Sequence, residues 1–326
     1  MHRIGLTFAL CFLLPSAALA QESARVARVG YLSVALGANP ERLESFRQGL
    51  RDLGYVENRN VVIESRSADR HLERLDDLAA ELVRLKVDVL VTDSTPPTLA
   101  AKKATPTIPI VFAATADAVG SGIVTTLARP GGNLTGLSFL APELVGKCLE
   151  QLKEAVPRIT RVAVLWEPGG LGESTQRDML QQAEVAARAL RLQLQLVEAR
   201  APGDFDKAFA QMIAGRAGAM TVLTSVMLFV EQKRLVDLGA RNRLPAVYPW
   251  REPVDAGGFL SYGPNLNDLY RRAAYFVDKI LKGARPGDLP VEQPTKFELV
   301  INLRTAKALG LDIPRSIRLR ADQVIQ

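Results

Sequence analysis

The chain has 326 residues, 48% of them hydrophobic, with 41 Lys and Arg set against 35 Asp and Glu for a formal charge of +6. A basic excess this mild, with no run of five like charges, excludes a nucleic-acid or membrane-surface footprint, and no nucleic-acid partner is expected. Removal of the first 20 residues would take His2 and Cys11 and leave one histidine and one cysteine, too little for a His/Cys metal centre or an intrachain disulfide, so neither metal nor cofactor is expected.

Residues 1–20 have the layout of a secretory signal. Arg3 gives a positive start, Ile4 to Leu14 a short apolar stretch, Pro15 breaks it, and Ala18-Leu19-Ala20 offers a cleavage site. The apolar stretch is too short for a comfortable membrane-spanning helix, although an uncleaved anchor remains the alternative. Cys11 is a poor lipidation site, because Leu10 precedes it where a small residue is wanted. Cleavage leaves an exported chain from Gln21 with a charge of about +5, Cys148 as its single thiol and His71 as its single histidine.

From there short apolar runs alternate with amphipathic helical patterns, which argues for parallel sheets with crossover helices. The first set of predicted strands covers Val26 to Ser33, Val61 to Ser65, Val87 to Val91 and Pro109 to Phe112. Between the second and third, Leu72, Leu75, Leu78, Leu82 and Leu85 form a helical stripe, and His71 reads as a solvated residue at its start. The second set covers Val162 to Trp166, Leu192 to Val197, Ala219 to Leu223 and Ala246 to Tyr248. Two doubly wound parallel-sheet lobes fit this length better than one large sheet.

Three Gly- or Pro-marked extended stretches lie at the seams. They are Leu134 to Phe139 after Gly131-Gly132-Asn133, Phe259 to Tyr262 after Gly257-Gly258, and Leu289 to Leu303 with Pro290 and Pro294. Helices are expected from about Pro142 to Val156 and from Leu266 to Leu281. A chain crossing three times between lobes makes a hinge, and hinges let lobes close over a ligand. Plain interdomain loops in a rigid protein are the competing reading.

Ligands of open parallel sheets bind outside the carboxyl ends of the strands. Those ends carry Ser33, Asp93, Ser94, Thr95, Thr115 and Asp117 in the first set, and Trp166, Thr224, Ser225, Tyr248, Trp250 and Tyr262 in the second. Thr92, Ser94 and Thr95 precede a helix, where they would form an anion site or simply cap it. Asp93 and Asp117 are candidates to receive an ammonium. Trp166 and Trp250 offer a flat face to a ligand or else belong to the core. No G-x-G-x-x-G, G-x-x-x-x-G-K-[ST] or G-x-S-x-G occurs, so dinucleotide, P-loop and serine-hydrolase chemistries lack their motifs. Nothing assembles into a catalytic set, and an enzyme is not expected.

Several stretches carry a family resemblance: KKATPTIPIVFA (102–113), LARPGGNLTGLSF (127–139), RVAVLWEP (161–168), GGFLSYGPNLNDLYRRAAYFVDKILKG (257–283) and LPVEQPTKFELVINLRTAKALGLDIP (289–314). With the ending RADQVIQ (320–326), they resemble the ABC-transporter substrate-binding family that includes the tryptophan-type binding proteins, with the type I periplasmic binding fold. The resemblance implies a monomeric periplasmic protein that delivers a small solute to a membrane permease and its ATPase. It implies one lobe from 21–138 plus about 263–292, and a second from 139–262 plus about 293–326. The ligand expected is an amino acid, aromatic in one reading, or a related carboxylate. Asp117-Ala118-Val119 departs from the family's Asp-Pro-Val, and Ser225 to Phe229 replaces a turn that often contains Pro-Asp. A sensing subunit for a membrane receptor and an exported enzyme using Asp93 with Asp117 are the alternatives.

Overall fold

The computed structural model describes residues 26–326, and the export signal read at 1–20 lies outside the described residues. Strands β1 (Ala27–Ser33), β2 (Val61–Ser67), β3 (Val89–Thr92), β4 (Ile110–Thr115) and β5 (Leu134–Ser138) form a parallel sheet in the order β2-β1-β3-β4-β5. The second sheet holds β6 (Arg161–Trp166), β7 (Gln193–Glu198), β8 (Ala219–Val222), β9 (Ala246–Tyr248), β10 (Leu260–Gly263), β11 (Glu298–Asn302) and β12 (Gln323–Ile325). Its order is β12-β11-β10-β9-β8-β6-β7. These are the two α/β lobes the alternating pattern calls for.

Both sheets are covered on both faces, and so their inner strands are continuously apolar. In β3, Val89 and Val91 enter one core and Leu90 the other; in β6, Val162 and Val164 part from Ala163 and Leu165 in the same way. The Leu72 stripe divides at a short 3-10 turn (Leu72–Arg74) ahead of the helix Leu75–Arg84. His71 opens that turn with an exposed ring 3.1 Å from a Glu73 carboxylate oxygen.

The chain passes between lobes three times. It leaves the first sheet after β5, through Leu140 at φ 60°, into the helix Ala141–Ala155, which packs on β9 and β10. It returns after β10 into the helix Leu266–Leu281, whose buried Leu266, Leu269, Tyr270, Ala273, Phe276, Val277 and Ile280 follow helical periodicity. This helix lies against Pro40–Asp52, and the two backbones approach closely at Gly49, where a Cβ would stand 2.3 Å from the Arg271 carbonyl oxygen. The third crossing precedes β11.

Two expectations need correction at this third crossing. Of the stretch Leu289 to Leu303, only Glu298–Asn302 is strand; Glu292 adds a single bridge to Leu137. Pro290 and Pro294 lack the N–H donors that a longer ladder requires. The second sheet also departs from purely parallel pairing, because β11 runs antiparallel to β10. The cause is topological: β10 ends at the hinge and β11 starts there.

Asn265 anchors the second crossing. Its side chain accepts from the Asp268 N–H at 3.3 Å, capping the helix, and its amide donates to Glu298 at 3.2 Å. Replacing it with Ala leaves an orphan N–H at the helix start, so urea unfolding of Asn265→Ala should show a loss of about 1 kcal/mol.

Candidate ligand-binding site

In each sheet the strand order reverses direction once, and a crevice opens at that point beyond the carboxyl ends. In the first sheet it lies between β1 and β3, in the second between β6 and β8. Each crevice is spanned by a serine–carboxylate hydrogen bond. Ser33 Oγ donates to Asp93 Oδ2 at 2.5 Å, and Ser225 Oγ donates to Glu167 Oε2 at 2.5 Å. Between these two points lies a cavity of about 790 Å³ counting its open mouth, of which about 70 Å³ admits water-sized occupants.

Of the twelve residues singled out from the strand ends, seven line this cavity: Ser33, Asp93, Ser94, Thr95, Thr224, Ser225 and Trp250. Asp93 is the centre of the first-lobe wall. It is buried, and it also accepts from Ser94 Oγ at 2.9 Å and the Val34 N–H at 3.2 Å. Burial pushes its carboxyl above the usual range, against the hydrogen bonds from Ser33, Ser94 and Val34 and the positive charge of Arg42. No ion-pair partner reaches it among the described residues.

The anion site read into Thr92, Ser94 and Thr95 is poorly furnished. Pro96 and Pro97 remove two N–H groups from the first turn of the helix Thr95–Ala104, and Thr98 N–H donates to Ser94 O at 3.2 Å. Ser94 Oγ is spent on Asp93, while the Thr92 hydroxyl lies 2.7 Å from that of Thr98.

The other five candidates lie elsewhere. Thr115 is buried and donates to Leu137 O at 3.3 Å, joining β4 to β5 at a register shift. Asp117 accepts from the Val119 and Gly120 N–H groups, and from Thr175 Oγ1 of the opposite lobe at 3.2 Å. Trp166 packs on the face of β6 that carries Val162 and Val164. Tyr248 shares the opposite face of β9 with Ala246 and sinks into the second-lobe core, because side chains alternate along a strand. Tyr262 stacks on Phe297 at 6.0 Å beside the third crossing, and its carbonyl accepts from Cys148 Sγ at 3.3 Å. Burial raises that thiol to about 12.

Reasoning from strand ends missed the side chains that helices deliver. Arg42, Phe229 and Tyr270 line the cavity from three helices, with Tyr31 and Phe139 beside them. Arg42 lies over the Phe229 ring at 3.9 Å to the centroid and near Tyr270 at 5.4 Å. Tyr270 Oη donates to the main-chain carbonyl of Asp93 at 2.6 Å and accepts from Arg42 Nη1 at 3.4 Å. Arg42 Nε and Nη2 and Trp250 Nε1 are buried without a hydrogen-bond partner. In the sequence, Arg42 is one arginine among many on a helix with an apolar stripe, and only its place near the helix start distinguishes it.

The lobes touch across the cleft. Arg70 Nη1 meets Glu231 Oε1 at 3.0 Å, Ser121 Oγ lies 3.3 Å from Thr175 Oγ1, and Arg42 Nη2 is 3.8 Å from Glu252 Oε1. This is a closed arrangement.

Two parallel-sheet lobes, three crossings and a cavity at facing switch points define a two-lobed solute-binding protein. The model of the ABC transporter substrate binding protein family matches residues 36–325, and the chain belongs to that family. It is the substrate-binding component of an ABC transporter, a non-enzymatic role. It is 26% identical over 284 residues to a tyrosine-binding protein of Clostridioides difficile, covering 86% of this chain and 78% of that one. A conserved domain protein from Vibrio cholerae has a similar structure (TM-score 0.85, 28% identical, covering 92% of this chain and all of that one). An ABC domain from Streptococcus pneumoniae in complex with L-Trp shares the fold (TM-score 0.84, 24% identical, covering 92% and 99%).

Proposed function

We propose that this protein works in the periplasm as the capture component of an importer for an amino acid with an aromatic or large apolar side chain. Residues 21–138 with about 263–292 form one lobe, and 139–262 with about 293–326 the other. The solute passes from them to a membrane permease and its ATPase. The observation that carries the reading is that one cavity is lined by a buried carboxyl group, Asp93, and a guanidinium, Arg42. Asp93 has no ion-pair partner among the described residues, and Arg42 has two donors without a hydrogen-bond partner. Asp93 receives the ammonium and Arg42 the carboxylate. Tyr31, Phe139, Phe229 and Trp250 receive the side chain. The names of the tyrosine-binding relative and of the structure holding L-Trp support the same class.

Thermal melting of residues 21–326, refolded to strip any host ligand, tests this against aromatic and branched amino acids, sugars, purines and short carboxylates. At about 100 times its dissociation constant an amino acid should add roughly 2.7 kcal/mol, with sugars and purines inert. Stabilisation by a sugar or purine alone would refute it.

A further inference from the structure

The charges around the cavity do not balance. Arg42 and Asp93 are its charged lining residues. Arg42 is already faced by Glu252 from the opposite lobe, at 3.8 Å and with only 19% of the Glu252 side chain exposed. The sequence neighbour of Glu252, Arg251, is engaged by Asp255 at 3.0 Å and Glu298 at 3.5 Å. Behind the second-lobe wall Glu167 is held by the Ser225 hydroxyl and the Met227 N–H. Arg42, Asp93 and Glu252 together therefore carry one more negative than positive charge when ionised, and Glu167 adds to the excess.

The contact between Arg42 and Glu252 is one of charge without a hydrogen bond. Arg42 Nε and Nη2 lack an acceptor, and Glu252 Oε2 is buried without a donor. The guanidinium therefore keeps these donors for a ligand while Glu252 offsets its charge from the opposite lobe. We propose that Glu252 sets the charge class of the solute: the cavity takes molecules bearing an ammonium group and refuses the corresponding acids that lack one. This rests on the amino-acid reading above. A zwitterion satisfies Arg42's donors and compensates Asp93. An acid without the amino group satisfies the same donors but leaves Asp93 buried and uncompensated, with its own charge added to the excess. Removing the Glu252 charge frees Arg42 to pair with such an acid.

The test uses residues 21–326 and calorimetric titration. The probes are tryptophan, tyrosine and phenylalanine, each with its decarboxylated amine and its deaminated acid. For the tightest amino acid, the wild-type protein should bind the deaminated acid at least about 100-fold more weakly. Glu252→Gln should narrow that ratio by about tenfold, with the acid gaining and the amino acid changing less. Wild-type binding of the acid within threefold of the amino acid overturns the charge assignment and leaves the amino-acid reading standing, and this comparison needs no variant. A folded Glu252→Gln protein with an unchanged ratio overturns the role of Glu252. If no amino acid binds, both readings fall together.

Discussion

Asp93→Asn should weaken amino-acid binding more than any other single change in the cavity. The substitution keeps the shape of the side chain, and its carbonyl oxygen still accepts from Ser33 or Ser94, so the wall survives while the charge opposite the ligand's ammonium disappears. Truncating one member of a buried charge pair costs about 2–5 kcal/mol, which is roughly 30- to 4,000-fold in dissociation constant. Calorimetry on a variant with a native circular dichroism spectrum measures it directly, and affinity within threefold of the wild type would remove Asp93 from the site.

The same residue predicts a pH dependence. Burial raises the Asp93 carboxyl in the folded, unliganded protein, so that state holds its proton more tightly than the unfolded chain does. Its contribution to stability is therefore fully present below the usual carboxylate range and declines as pH rises through the elevated value. An ammonium ligand pairs with the ionised form, and so its affinity should fall on acidification through that window. The charged and titratable groups facing Asp93 are Arg42, Tyr31 and Tyr270, and burial holds both phenols above their ordinary range. Loss of the slope in Asp93→Asn would assign it to this residue.

Gly136→Ala should be the most damaging small substitution for the fold. Gly136 has φ 147°, and a Cβ there would stand 2.0 Å from the Phe112 carbonyl oxygen and 2.7 Å from the Phe112 nitrogen. Both atoms are backbone of β4, held by the Phe112↔Gly136 register, so the side chain has nothing flexible to displace. Gly136 O also accepts from the Glu292 N–H at 2.9 Å, which ties the third crossing to the first sheet. A loss above about 4 kcal/mol is expected, in the range reserved for substitutions that break a packed backbone contact. Gly122→Ala separates clash from conformation, because Gly122 has φ 68° and nothing within 4 Å of its Cβ position. It should cost only about 1–2 kcal/mol in guanidinium unfolding.

Particular residues show how far strand position alone locates the cavity lining. Trp250 lies beyond β9 and lines the cavity, tilted against Phe229 at 5.1 Å, whereas Trp166, at the end of β6, does not line it. The two tryptophans look alike in the sequence because strand position is legible there and the reach of the cavity is not. Asp93 and Asp117 likewise share the position after a strand. Asp93 stands at the switch point between β1 and β3, while Asp117 follows β4, away from it, and is absorbed by its own turn and by Thr175.

The sequence by itself determined the two α/β lobes and which residues stand at the carboxyl ends of their strands. Periodicity of apolar residues and the marks left by Gly and Pro are local signals, and the carboxyl end of a parallel strand is a site by geometry alone. Only the tertiary structure decided that Arg42, Tyr270, Phe229 and Glu252 meet. They sit on four separate helices from both lobes, and each reaches the cleft through helix packing and lobe closure. Contacts of that kind depend on the relative placement of distant elements, which no spacing along the chain records.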